Sequence, residues 1–365
     1  MGDDAIRLPA EQQYADEVAR LRERDSLTGQ TLPPGWRLTP RAVRSFIIGD
    51  EKAQVSRKFY GDDALVDRAI VTLLGKQGLM LVGEPGTAKS MLSELLAAAI
   101  SGNSNLTIQG TAGTTEDNIR YSWNYALLLA EGPTERALVP SPVYQGMRAG
   151  QIVRFEEITR AVPEVQDTLV SIMSEKQIMI PEFGSDARVS ARPGFNIIAT
   201  ANLRDRGVNE MSAALKRRFN FETVKPIADK AFEIELVQRQ LDADLGPRRS
   251  EVTVGPDVID LLVTAFRELR AGATEDGTAL KRPETVMSTA EAVNVAFAAA
   301  MEARYLGDGK LTPAEIAHQL AGVAMKDSAE DAKRLRFWVD NVVRERARSS
   351  ANWKQFQAAA KTLWN

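Results

Sequence analysis

The chain contains no cysteine, which excludes disulfides, thiol nucleophiles and cysteine zinc sites and fits a reducing compartment. It has one histidine, His318, so a mechanism that needs two imidazoles is closed to it. No run of roughly 18 apolar residues occurs, the length a membrane-spanning helix requires, and no membrane partner is expected. The opening "MGDDAIRLPAEQQ" has neither a basic start nor an apolar centre, so no secretory leader is expected and the chain is placed in the cytoplasm. A dominant charge is missing too, with 46 basic residues against 49 acidic ones for a net of -3. Without a basic field, nucleic acid is disfavoured as a partner. What remains is a chain of 365 residues, long enough for two domains with their own cores.

Residues 1–44 are polar, with a helical run near 10–24 and a loop after it, and read as an N-terminal extension. From 45 to 228, strands alternate with helices. Residues 62–76 form a helix in which Asp62 caps the start and Leu65, Ala69 and Leu73 share a face. The apolar run at 78–83 reads as a buried strand, 105–110, 151–157 and 195–202 as further strands, and 89–100 and 163–175 as helices. That alternation predicts an α/β domain with a parallel sheet and helices on both faces. Residues 176–195 break the rhythm and read as an inserted hairpin. Strand signals stop after 228, so 229–365 is expected to be all-α, with helices over 283–304 and 331–348 among them. In the last of these, Leu335, Trp338 and Val342 share a helical spacing, which favours a packed helix over a nucleic-acid surface.

"GEPGTAKS" at 83–90 lies between a buried strand and a helix. Backbone amides of such a glycine-rich turn and of the helix start point at an anion. Gly83, Glu84, Pro85, Gly86, Thr87 and Ala88 form the loop, Lys89 brings a charge to the β- and γ-phosphates, and the Ser90 hydroxyl is placed to ligate Mg²⁺. Ala88 stands where the G-x-x-x-x-G-K-[ST] pattern has its second glycine, and Gly86 is read as compensating by freeing the turn two residues earlier. Downstream, "QIVRFEE" is a strand ending in two carboxylates. At the C-terminal end of a parallel strand beside the loop, Glu156 is assigned to the metal and Glu157 to polarising the attacking water.

These motifs resemble the AAA+ ATPases, in particular the MoxR family and its dynein-like relatives, over roughly residues 45–320. The resemblance implies a P-loop NTPase fold followed by a helical lid, with ATP and Mg²⁺ as cofactors. The segment from Tyr60 through Ser90 and Met91 is similar to the family's approach to the nucleotide, where alanine at position 88 is common. "FNIIATAN" is similar to sensor 1 and implies that Asn202 orients the lytic water. "MSAALKRRFNF" is similar to the arginine-finger segment, which implies that role for Arg218, with Arg217 as the alternate. The hairpin at 176–195 falls where the family carries a pre-sensor 1 insertion. Two features depart from the family. Glu156 stands where aspartate is usual, and the sensor 2 arginine has no clean match, Arg282 being the nearest.

The resemblance further implies a homo-oligomeric ring, a hexamer, acting like a chaperone on a protein client, often beside a partner with a von Willebrand factor A domain. Other readings compete. Asn202 also reads, less favourably, as a turn-former after a strand, Arg217 and Arg218, again less favourably, as a solvated basic end, and His318 as a helix-surface or lid-packing residue without chemistry. An AAA+ motor on nucleic acid would share the ATP site. A nucleotide-dependent scaffold with little hydrolysis would be favoured by the longer Glu156. A small-molecule kinase fits less well, because Asn202 and the arginine pair suit an oligomeric motor.

Overall fold

A computed structural model of the protein describes residues 7–202, 208–285, 287–326 and 328–363. The chain divides into two units, Met1–Glu84 with Ala88–Val224, and Pro85–Thr87 with Lys225–Asn365. The first unit begins with α1 (Ala10–Gln13), α2 (Ala15–Thr28), α3 (Pro40–Ile48) and α4 (Asp63–Leu74). The starts of the last two are encoded locally. Thr39 accepts the amide of Ala42 ahead of Pro40 in α3, and Asp62 accepts that of Ala64 in α4, satisfying donors that a helix start leaves orphaned. Leu65, Ala69 and Leu73 are buried as their spacing requires.

β1 (Gly78–Gly83) leads into α5 (Lys89–Ser101), followed by β2 (Thr107–Gln109), β3 (Tyr121–Trp123), α6 (Tyr125–Glu131), β4 (Leu138–Pro140), α7 (Pro142–Ala149) and β5 (Ile152–Glu156). Then come α8 (Pro163–Glu175), β6 (Gln177–Met179), β7 (Arg188–Ser190), β8 (Asn196–Asn202), α9 (Ala213–Lys216) and β9 (Phe219–Thr223). Five strands form a parallel sheet in the order β2-β5-β8-β1-β9. Side chains of a strand alternate between faces, and here each face meets its own core. Leu79, Leu81, Ile152 and Ile198 pack with α3, α4 and α5. Met80, Val82, Val153, Phe155, Ile197 and Ala199 pack with α7 and α8. Burial on both faces explains why β1 reads as an unbroken apolar run.

Residues 1–44 read as an extension in the sequence, yet Ala10, Leu21 and Leu38 sit in the same core as α5. The hairpin expected at 176–195 is present, as antiparallel β6 and β7 around a turn at Pro181–Phe183. It docks on a second insertion, the antiparallel β3–β4 pair. There the Tyr121 hydroxyl donates to Glu182 at 2.7 Å, and the Trp123 and Phe183 rings meet edge to face at 5.6 Å.

The second unit holds α10 (Lys230–Leu245), β10 (Thr253–Val254), α11 (Pro256–Ala271), α12 (Thr289–Leu306), β11 (Lys310–Leu311), α13 (Pro313–Met325), α14 (Ala329–Trp338), α15 (Arg344–Arg346) and α16 (Ala351–Thr362). Three expectations are corrected here. Among its described residues the unit is mainly helical but also holds β10 and β11, a parallel pair of two residues each, too short to leave a periodic signal. The helix expected from 283 starts at Thr289, because Ser288 and Glu291 form a reciprocal cap there. The helix expected over 331–348 is interrupted by a π-turn at Val339–Val343. The wider turn carries Val343 into the core, while Val342 is only partly buried. His318 is half-buried on α13, with Nδ1 2.7 Å from Glu302 of α12. Among the described residues, no helix is long and apolar enough to cross a membrane.

Candidate functional site

β1 delivers the chain to the loop at Gly83, and α5 departs from it at Lys89. Gly86 has φ 73° and Ala88 φ 65°, so Gly86 does not relieve Ala88, which itself takes the left-handed conformation. For a side chain that conformation costs about 1–2 kcal/mol. Ala88 offers no capping side chain to α5, which suits the helix start to an anion. Lys89 is buried, and its ammonium donates to the carbonyls of Gly83 at 3.1 Å and Glu84 at 2.7 Å, which holds the charge beside the loop. Glu84, Pro85 and Thr87 are half-buried. Met91 packs against the core under α5.

The acidic strand end meets the first turn of α5. The Glu156 carboxylate is buried and takes four donors. Ser90 Oγ at 2.7 Å and Thr200 Oγ1 at 2.7 Å donate to Oε2. Ser93 Oγ at 2.5 Å and Arg154 Nη2 at 2.8 Å donate to Oε1. Burial disfavours the charge, but the Ser93 hydroxyl, the Arg154 guanidinium and the Ser90 and Thr200 hydroxyls outweigh it and hold the carboxyl below its usual range. Glu157 sits in the left-handed region with φ 52°. Its amide donates to Thr200 Oγ1 at 2.9 Å, and its carboxylate pairs with Arg160. Gly110 makes this turn possible, since a Cβ there would lie 2.2 Å from the Glu157 carbonyl oxygen.

A Ser90 hydroxyl facing a carboxylate is a hard oxygen pair of the kind Mg²⁺ takes, with waters and phosphates completing its shell. Among the described residues no group of three or more His, Cys, Asp or Glu could hold a metal alone.

Asn202 ends β8 in register with Gly83 of β1 and is buried, so it borders the loop. Arg217 and Arg218 lie at the opposite edge. The Arg218 carbonyl accepts the Gly78 amide at 2.8 Å, and that of Arg217 accepts from Gln77, at the start of β1 rather than its end. At about 3.3 Å per residue, the strand separates them from the loop by roughly 16 Å. The Arg218 side chain is held by Ser174 Oγ at 3.0 and 2.8 Å, while Arg217 is exposed. Tyr60 is buried before α4 with the Arg57 guanidinium 5.7 Å over its ring. Arg282 is exposed in the segment before α12 of the second unit. Sequence reasoning passed over Ser93, Arg154, Thr200 and Gly110. For Arg154 and Thr200 a signal existed: each is two residues from a singled-out residue, Glu156 or Asn202, and so leaves its strand on the same face.

Residues 78–219 match the AAA domain of the dynein-related subfamily, and residues 231–363 match the YehL-like AAA+ ATPase C-terminal domain. The chain is 51% identical to the protein YehL of Escherichia coli (strain K12) over 358 residues, covering 98% of this chain and 97% of that one. Among solved structures, it is similar to the Thermotoga maritima RuvB Holliday junction branch migration motor, with TM-score 0.46 and 13% identity over 79% of this chain and 78% of that one. It is likewise similar to NtrX from Brucella abortus in complex with ATP, with TM-score 0.46 and 14% identity over 84% of this chain and 69% of that one.

Proposed function

Because the chain belongs to the AAA+ ATPases of the dynein-related subfamily and carries their YehL-like C-terminal domain, we propose that it binds Mg-ATP, hydrolyses it, and uses the cycle to remodel a partner protein. The observation that carries this reading is the 2.7 Å contact between Ser90 Oγ and Glu156 at the start of α5. It supports the reading because a hydroxyl and a carboxylate, both of a type that Mg²⁺ takes, then lie beside the loop amides and Lys89 proposed to receive phosphates. When bound, Mg²⁺ neutralises charge on the phosphate oxygens. Glu157 polarises the attacking water and accepts its proton on the carboxylate, Asn202 orients that water, and Lys89 meets the β- and γ-phosphates. Tyr60, Met91 and Arg282 complete the proposed nucleotide contacts.

The distance of Arg217 and Arg218 from their own loop supports a finger supplied in trans by a neighbouring copy, hence a ring, a hexamer. The slightly negative net charge supports a protein client over nucleic acid, with a von Willebrand factor A domain protein as the partner class. A nucleotide switch with little hydrolysis is the second reading, favoured by the pairing of Glu157 with Arg160.

Equilibrium binding and turnover of ATP test the proposal. Lys89→Ala is expected to weaken ATP binding. Glu157→Gln is expected to bind ATP as the parent does and lose turnover by about a hundredfold or more. Arg218→Ala is expected to keep binding and recover turnover when mixed with Lys89→Ala chains, which lack nucleotide but keep their finger. Parent-like turnover in Glu157→Gln would refute the water-activating role. Binding without turnover in the parent ring would establish the switch instead. Capture of a protein by Glu157→Gln in ATP, and not by Lys89→Ala, is the result expected of a remodeller.

A further inference from the structure

Arg154 stands two residues before Glu156 on β5, so both side chains leave the strand toward α5. Only 12% of the Arg154 side chain is exposed. Nε donates to Ser93 Oγ at 2.9 Å, Nη1 to the Ser104 carbonyl at 3.1 Å, and Nη2 to the Ser90 carbonyl at 3.1 Å and to Glu156 Oε1 at 2.8 Å. The guanidinium thus ties the first turn of α5 to the acidic strand end through three separate segments. Burying such a pair is costly in desolvation and gives little net stability against an apolar replacement. A role in stability alone therefore accounts poorly for placing it beside the metal-facing carboxylate.

The division of donors on Glu156 is asymmetric. Oε1 faces Ser93 and the positive charge of Arg154, whereas Oε2 faces two neutral hydroxyls, Ser90 and Thr200. A hydroxyl can rotate and present its lone pairs to a cation, but a guanidinium has only donors. One oxygen is therefore locked, and the other is left aimed at Ser90. A positive charge fixed a few ångströms away also weakens the pull of this carboxylate on any cation.

We propose that Arg154 is a positioning residue that sets the magnesium requirement of the site: it aims Glu156 Oε2 at Ser90 and offsets the carboxylate charge. The protein alone then holds Mg²⁺ weakly, and the ion enters firmly only with nucleotide phosphates. This inference rests on the Mg-ATP reading of the site.

The test is binding of a fluorescent ATP analogue to the full chain, first in chelator and then across stepped free Mg²⁺. In Arg154→Gln the Mg²⁺ concentration for half-maximal effect is expected to fall about tenfold, because an offsetting charge is gone. Affinity in chelator is expected to stay within about twofold, since Arg154 donates to protein groups only. Arg154→Lys keeps the charge and is expected to stay within about threefold of the parent in its Mg²⁺ midpoint. A purely structural role would lower thermal stability without moving the midpoint. An unchanged or raised midpoint in folded Arg154→Gln overturns the inference. Should Arg154→Gln fail to fold, Ser93→Ala, which removes the other donor to Oε1, is expected to lower the midpoint about threefold, and no shift there overturns it. If the parent binds no analogue at any Mg²⁺ concentration, the Mg-ATP reading falls and this inference with it. Binding by the parent with an unmoved midpoint in the variants refutes the inference alone.

Discussion

Both units bury carboxylates, and they hold them by different means. In the sheet unit, Glu156 takes three hydroxyls and one guanidinium. In the helical unit, Glu233 takes Arg267 at 2.9 Å, Arg270 at 2.8 Å and Thr289 at 2.6 Å. Glu268 takes both arms of Arg346, at 3.0 and 2.5 Å, and the Trp338 indole at 3.1 Å. Guanidinium and indole groups have only donors to offer, so they give a cation nothing to bind and instead fasten one helix to another. Hydroxyls that can turn leave a place for a cation. The same chemical group is a strut in one unit and part of a candidate workplace in the other.

The sharpest way to break this contrast is to cut a strut. Arg346→Met leaves Glu268 buried with Trp338 and without its charge partner, which is expected to cost about 3–5 kcal/mol in urea unfolding while leaving ATP turnover per folded molecule unchanged. A cost below about 1 kcal/mol would show that the strut is dispensable. On the other side, Gly110→Ala pushes a methyl group against the Glu157 carbonyl. A displacement of about 1 Å in the acidic turn is expected to lower turnover about a hundredfold, with ATP affinity kept. Parent-like turnover would mean that the turn yields freely.

Asp331 gives a milder test through pH. Burial disfavours its charge, but the amides of Glu284 and Thr285 and the Arg334 guanidinium hold its carboxyl below the usual 3.8. A depressed carboxyl contributes stability that is present above its unfolded value and is lost as pH falls through the folded one. The parent is therefore expected to lose stability as pH drops below 3.8. Asp331→Asn is expected to start about 1–2 kcal/mol lower at neutral pH and to decline less steeply in acid. Identical slopes would remove Asp331 from the account. The smallest expected effect is at Ala88. Ala88→Gly relieves the left-handed alanine and is expected to stabilise the chain by about 1 kcal/mol in thermal unfolding, while a loss of stability would mean that the methyl group's packing outweighs the strain.

Much of the first unit was legible because its signals are local. The loop motif, the acid pair and the runs that became β1, β5 and β8 each lie within a few consecutive residues. Asp62 caps α4 through a neighbour two residues away. The site residues that were missed share one cause: their effect depends on contacts far along the chain. Arg154 reads as an ordinary strand residue until Ser93 and Ser104 are brought to it, and Gly110 as a plain strand end until the Glu157 turn is laid against it. The π-turn at Val339–Val343 adds a residue that packing of Trp338 and Val343 selects, and helical spacing alone placed Val342 there instead.

By itself the sequence determined the alternation of strand and helix, the glycine-rich loop ahead of Lys89, and the two glutamates at a strand end. Backbone propensity and hydrophobic period act between near neighbours and need no fold to be read. Only the tertiary structure decided that Ala88 takes a left-handed turn, that Ser90 faces Glu156, that Arg154 closes one side of that carboxylate, and that Arg217 and Arg218 lie at the far end of β1. Those arrangements come from the parallel order β2-β5-β8-β1-β9, which sets strands distant in sequence side by side and gathers their C-terminal ends around one loop.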